Sequence, residues 1–228
     1  MNQNSLPKNP SLDLILDSYF NVNTIREEDE DEEQGELDNL YLGTPYNFLE
    51  RLFLAYPFKN EDHLVDFGCG KGRVLFMAAH HHCPQVTGYE NHEKRFITLS
   101  NNVKEYQKKA RNHTRFNVFH LDVQKAEIPD DTNKFFFFEP FHLPIFEAVM
   151  HNIELSLSRR KRNVTLFVNL PDKPTLDYFD SLKGYSREIH IDSTLYGSGE
   201  ALVTLPLYAI YANYSMMEVI NPNFIFNL

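Results

Sequence analysis

With 228 residues, 42% hydrophobic and 14% aromatic, the chain is long enough for one well-cored domain and too apolar for a disordered one. Its formal net charge of −10 is local: residues 27–38 (EEDEDEEQGELD) hold nine acids and no base, leaving 22 bases against 23 acids elsewhere. Two cysteines exclude a disulfide framework, and neither a secretion signal nor a run of about 18 apolar residues is present, so a cytoplasmic location with no membrane partner is expected.

Residues 1–10 are polar with two prolines and read as poorly ordered. Ser11 then N-caps apolar residues at helical spacing through Phe20. The acid run that follows reads as a solvated linker, or as a contact for a basic partner. Residues 1–40 are thus expected to form a helical and acidic extension, partly disordered, and residues 41–228 the main domain.

From Tyr41 the pattern alternates. Residues 49–54 read as a helix, 63–67 as a buried strand closed by Gly68, and 72–82 as a helix. Residues 86–90 form a second strand, 92–110 a long helix, 116–121 a third strand, and 134–138 a fourth with four consecutive Phe. A helix over 142–158 and a strand over 164–169 complete the series. Strands separated by helix-length segments predict right-handed crossovers and a parallel sheet covered on both faces. Residues 186–191 and 205–211 have no helix between them and are expected to pair as an antiparallel hairpin at the sheet edge.

The chemistry concentrates in Leu64-Val65-Asp66-Phe67-Gly68-Cys69-Gly70-Lys71-Gly72-Arg73-Val74, where a strand runs through a glycine-rich turn into a helix. Glycines permit positive φ and close approach of a ligand to the main chain, and free N–H groups at the helix start favour an anionic or polar group. Glu90 ends the second strand, 18 residues beyond Gly72, where a carboxylate can accept from both hydroxyls of a ribose. Asp122 follows the third strand. In an open parallel sheet all three acids lie at the carboxyl ends of the strands, where ligands bind.

On these residues the chain resembles the class I S-adenosylmethionine-dependent methyltransferases over about residues 40–170. The family pattern D/E-x-G-x-G-x-G is matched from Asp66 to Gly72. The resemblance implies a Rossmann-like α/β fold with a mostly parallel seven-stranded sheet, helices on both faces and an antiparallel edge hairpin. It also implies S-adenosylmethionine as cofactor. Asp66, Gly68, Cys69, Gly70 and Gly72 would hold its methionine portion, Glu90 the ribose and Asp122 the adenine. Phe138-Glu139-Pro140-Phe141 stands where related enzymes carry (N/D)-P-P-(Y/F), the signature of methylation at planar nitrogens. Here Glu replaces Asn or Asp and one proline is missing. Glu139 and Phe141 are the implied acceptor-side residues, or a capped turn. Tyr46, in Tyr41-Leu42-Gly43-Thr44-Pro45-Tyr46, joins them if that segment closes over the cofactor as a lid; otherwise it is a rigid turn before a helix.

The methyl acceptor is not identified. A protein side chain or small molecule is favoured over nucleic acid, because the body is nearly neutral and carries no wide basic surface. The rival reading is a domain that binds the cofactor without catalysis and docks a basic partner through residues 27–38. A nicotinamide enzyme fits less well, since its third glycine would come one residue later. His80-His81-His82 and Cys83 point in different directions on a helix and predict no metal site. Arg159-Arg160-Lys161-Arg162 reads as a solvated turn that complements a helix dipole. No G-x-S-x-G elbow is present.

Overall fold

The computed structural model describes residues 11–25, 43–138, 142–169, 173–195 and 203–213. Two helices come first, α1 (Leu12–Phe20) and α2 (Tyr46–Ala55), followed by β1 (His63–Phe67), α3 (Arg73–His80), β2 (Gln85–Glu90), α4 (Glu93–Lys109) and β3 (Arg115–His120). A single 3₁₀ turn, Val123–Lys125, leads to β4 (Lys134–Phe138), α5 (Leu143–Arg159), β5 (Thr165–Asn169), α6 (Lys173–Ser181), β6 (Ser186–Leu195) and β7 (Val203–Ala212). The seven strands form one sheet in the order β3-β2-β1-β4-β5-β7-β6. β1 to β5 are parallel, and β7 is antiparallel to both β5 and β6.

Alternation along the strands divides the core into two layers. Leu64 on β1 and Phe136 on β4 point to the face covered by α1 to α4, where they meet Phe20, Leu49, Phe53, Leu75, Phe76 and Leu99. Val65, Phe67, Phe135 and Phe137 point to the other face and meet Phe146, Met150, Ile153 and Phe179 from α5 and α6. Burial on both faces explains why β1 and β4 read as continuous apolar runs. The rings of Phe137, Phe67 and Tyr89 line up across β4, β1 and β2, with stacked centroids 5.1 Å and 5.9 Å apart.

The structure departs from the sequence reading in three places. The β3–β4 connection holds one 3₁₀ turn instead of a crossover helix, because Pro129 and the polar Asp130-Asp131-Thr132-Asn133 offer no helical stripe. α6 begins at Lys173, where Pro174 sits in the first turn and so leaves no intrahelical bond unmade. Helix α1 contributes Phe20 to the same buried cluster as α2, α3 and α4, so it packs onto the sheet domain. Residues 1–10 and the acidic segment 27–38, expected to be disordered and solvated, lie outside the described residues.

Two polar clusters brace the ends of elements away from the glycine turn. At the amino end of β1, the His63 ring meets Asp131 Oδ1 at 2.9 Å and Thr87 Oγ1 at 2.8 Å. Arg162, read as part of a solvated turn, instead donates to Ser156 O at 3.2 Å and Ser156 Oγ at 2.7 Å, tying off the end of α5. Arg159 pairs with Asp130 at 2.9 Å.

Candidate functional site

The glycine turn leaves β1 at its carboxyl end and enters α3 through Gly72, the N-cap residue. Gly68, Gly70 and Gly72 take φ values of 72°, 53° and 96°, in the left-handed region that glycine enters without strain. At Gly72 a Cβ would also lie 2.6 Å from Leu99 Cδ1.

Amides of the turn itself are engaged within the protein. Gly68 N and Cys69 N both donate to Tyr89 O, at 2.9 and 3.0 Å, and Gly72 N donates to Cys69 O at 2.9 Å. Gly70 N donates to Glu90 Oε2 at 2.8 Å. These bonds lash the turn to the end of β2.

Glu90 is buried at 5% exposure, and its second oxygen accepts from His92 N at 2.8 Å. Burial pushes its carboxyl up, while the His92 and Gly70 amides and the Arg95 guanidinium pull it back. Each oxygen keeps a lone pair for a further donor. Asp66, at 3% exposure, faces the same side of the sheet as Leu64. It makes no hydrogen bond among the described residues. Burial first and the Glu90 charge second hold its carboxyl well above the ordinary range. Burial first, and the same two acids after it, raise the Cys69 thiol, so it is a neutral packing group rather than a nucleophile. Cys69 rests against Gly88, where a Cβ would lie 2.6 Å from its Sγ.

Asp122 caps the 3₁₀ turn, accepting from Gln124 N at 3.0 Å, and is half-buried. Leu121 N donates to Glu90 O at 3.0 Å, so the chain beyond β3 is fastened to the end of β2. Asp66, the turn 68–72, Glu90 and Asp122 therefore gather at the carboxyl ends of β1, β2 and β3, which are adjacent in the sheet. Glu139 and Phe141 lie outside the described residues. His80 and His82 are exposed and His81 pairs with Glu50 at 2.9 Å; among the described residues no His, Cys and acid cluster could hold a metal.

Tyr46 takes a different place from the lid expectation. Its ring is fully buried in the core and its hydroxyl donates to Asp17 Oδ1 at 2.7 Å. Burial and the Asp17 charge raise its pKa, so it stays a donor, closed off from any acceptor. It belongs to a polar clasp that the sequence reading missed. Asp17 accepts from Thr24 N and Thr24 Oγ1 at 2.6 and 2.7 Å. Arg73, the first residue of α3, donates to Thr24 Oγ1 at 2.9 Å and to Asp13 at 2.8 Å, with its guanidinium 4.7 Å from the Tyr46 ring centre. Lys71 Nζ reaches Ile25 O at 2.7 Å, and Asn102 donates to both Asn23 O and Lys71 O. Residues 21–25 are thereby strapped across the start of α3, beside the glycine turn. The one signal in the sequence is Asp13 and Asp17, four apart on one face of α1.

No protein-family model and no curated protein matches the chain in sequence. Solved structures match it in shape. A Pyrococcus horikoshii protein assigned as an RNA methyltransferase is 15% identical, covering 90% of this chain and 96% of its own, with a TM-score of 0.54. Precorrin-6y C5,15-methyltransferase from Geobacter metallireducens is 14% identical, covering 82% and 94%, with a TM-score of 0.52. An O-methyltransferase domain, StiE O-MT, is 16% identical, covering 72% and 73%, with a TM-score of 0.51. These relatives carry RNA, precorrin and O-methylation in their names, so the likeness selects no acceptor, and the charge-based expectation against nucleic acid gains no support from it. No helix among the described residues is long and apolar enough to cross a membrane. The chain has the Rossmann-like α/β fold of the class I methyltransferases.

Proposed function

We propose that this protein is an S-adenosylmethionine-dependent methyltransferase. The observation that carries the reading is a pair of buried carboxyls, Asp66 in β1 and Glu90 at the end of β2, set against the positive-φ glycine turn, with Asp66 accepting no hydrogen bond among the described residues. A nearly buried carboxyl that takes no donor from the described residues is open to a ligand offering donors or positive charge. The residues fit the cofactor. Asp66 and the turn 68–72 face its methionine portion. Glu90, with one lone pair free on each oxygen, accepts from the two ribose hydroxyls, and Asp122 accepts from the adenine amino group.

When bound, the cofactor supplies an activated methyl group on a sulfonium. The protein's work is placement: holding the donor across the strand ends and setting an acceptor in line with it. Glu139 and Phe141, directly after β4, are the proposed acceptor side, with Glu139 as base or orienting group. Tyr46 supports the clasp instead. The acceptor is a protein side chain, a small molecule or a nucleic acid.

Isothermal titration with S-adenosylmethionine and, separately, NAD tests the cofactor. Binding of the first alone, weakened by about tenfold or more in Glu90→Ala, is the expected outcome. NAD binding, or an unchanged affinity in Glu90→Ala, would overturn it.

A further inference from the structure

The two buried acids at the strand ends are unequal, and the inequality has a consequence for how the site tells ligands apart. Glu90 accepts two backbone amides, Gly70 N and His92 N, both at 2.8 Å. The Arg95 guanidinium at the start of α4 acts on Glu90 as well. Asp66 accepts no hydrogen bond among the described residues. The charge that acts on it is Glu90's, which repels a second negative charge, and the titratable group on the turn beside both acids is the neutral Cys69 thiol. From β4 the neighbouring residue in register is Phe136. The two cations of the turn and helix start do not serve it: Lys71 Nζ bonds Ile25 O, and Arg73 bonds Asp13 and Thr24. Two neighbouring carboxyls that are both nearly buried do not both ionise readily, and the proton goes to the one with fewer donors.

Resting on the cofactor reading above, we propose that Asp66 is a charge-reading residue: it carries a proton in the ligand-free protein and releases it when the cationic methionine end of the ligand binds. The exchange balances. One proton passes from the Asp66 carboxyl to solvent, and the ligand's positive charge takes its place beside the new carboxylate. A ligand without positive charge finds a neutral acid there and gains no ion pair. The site thus discriminates by charge as well as shape, and affinity for the cationic ligand rises as pH rises, until Asp66 ionises without help.

The test is calorimetric titration of the full chain at neutral pH in buffers of different ionisation enthalpy. S-adenosylmethionine should release close to one proton per molecule bound, with affinity rising up to about tenfold per pH unit while Asp66 remains protonated in the free protein. Methylthioadenosine, which has the nucleoside but neither the ammonium nor the sulfonium, should bind without proton release. Asp66→Asn should bind S-adenosylmethionine with no proton release. A difference infrared spectrum of the unmutated protein provides the second readout: a protonated-carboxyl stretch should vanish on adding the ligand. Binding of S-adenosylmethionine with heats independent of buffer and an unchanged carboxyl band would overturn the charge-reading role and leave the cofactor reading standing. An absence of binding would overturn both.

Discussion

Burial without donors raises a carboxyl's pKa, and the sign of that shift fixes how Asp66 affects stability. Its folded pKa is raised, so between the unfolded value near about 3.9 and the raised one the folded state binds more protons than the unfolded state. Its contribution is fully present below that window and is lost as pH rises through it. Asp66→Asn removes the ionisable group, so the variant should be more stable than the unmutated protein at pH 8, by about 1 kcal/mol or roughly 2–4 °C in Tm. The gain should vanish at acid pH; thermal melts across pH check both. His63 behaves in the opposite sense. Its pKa is lowered by burial, so it stabilises the fold while neutral, and that contribution is lost as pH falls from about 6.5 toward its lowered value. His63→Gln should flatten the loss of stability below about pH 6 relative to the unmutated protein.

At the scale of elements, the turn between β1 and α3 depends on two small residues that are not in the same strand or helix. Gly88 lies in β2, yet a Cβ there would sit 2.6 Å from Cys69 Sγ and 2.7 Å from Leu75 Cδ1. Gly88→Ala should cost about 1–3 kcal/mol through overpacking and should also loosen the turn. Cofactor affinity should therefore fall along with Tm, and Cys69→Ala in the same chain should recover part of both. The strand and helix pattern gave β1 and β4 at their observed bounds and the other core elements to within a few residues, because burial on both faces writes a strong apolar signature. The β3–β4 connection and α6 escaped that pattern. The first is too polar to form a helix, and the second begins with a Pro that reads as a break although it suits a first turn.

At the scale of the whole molecule, α1 and residues 21–25 are tied to the glycine turn by Arg73, Lys71 and Asn102. Replacing one partner of a buried charged network leaves the others unmatched, so Arg73→Ala should cost about 3 kcal/mol. Hydrogen exchange should rise over residues 12–25 before it rises in β1 or β4, since those strands keep both of their covering layers. Equal exchange throughout would show that the clasp is not a separable unit.

The sequence by itself determined the alternating α/β order, the parallel core strands and the grouping of Asp66, the glycines, Glu90 and Asp122. Those features rest on local periodicity, on the φ that glycine allows and on the rule that a parallel sheet gathers its strand ends. Only the tertiary structure decided which groups are satisfied. Burial and hydrogen bonding are set by residues distant in the chain: Gly70 donates to Glu90 twenty residues on, and Arg73 reaches back to Asp13 across sixty. That is why Tyr46, which the sequence left between a lid and a rigid turn before a helix, is seen as a core support only in the tertiary structure. It is also why two acids that look equivalent in the sequence occupy different electrostatic positions, one held by two amides and one with no donor among the described residues.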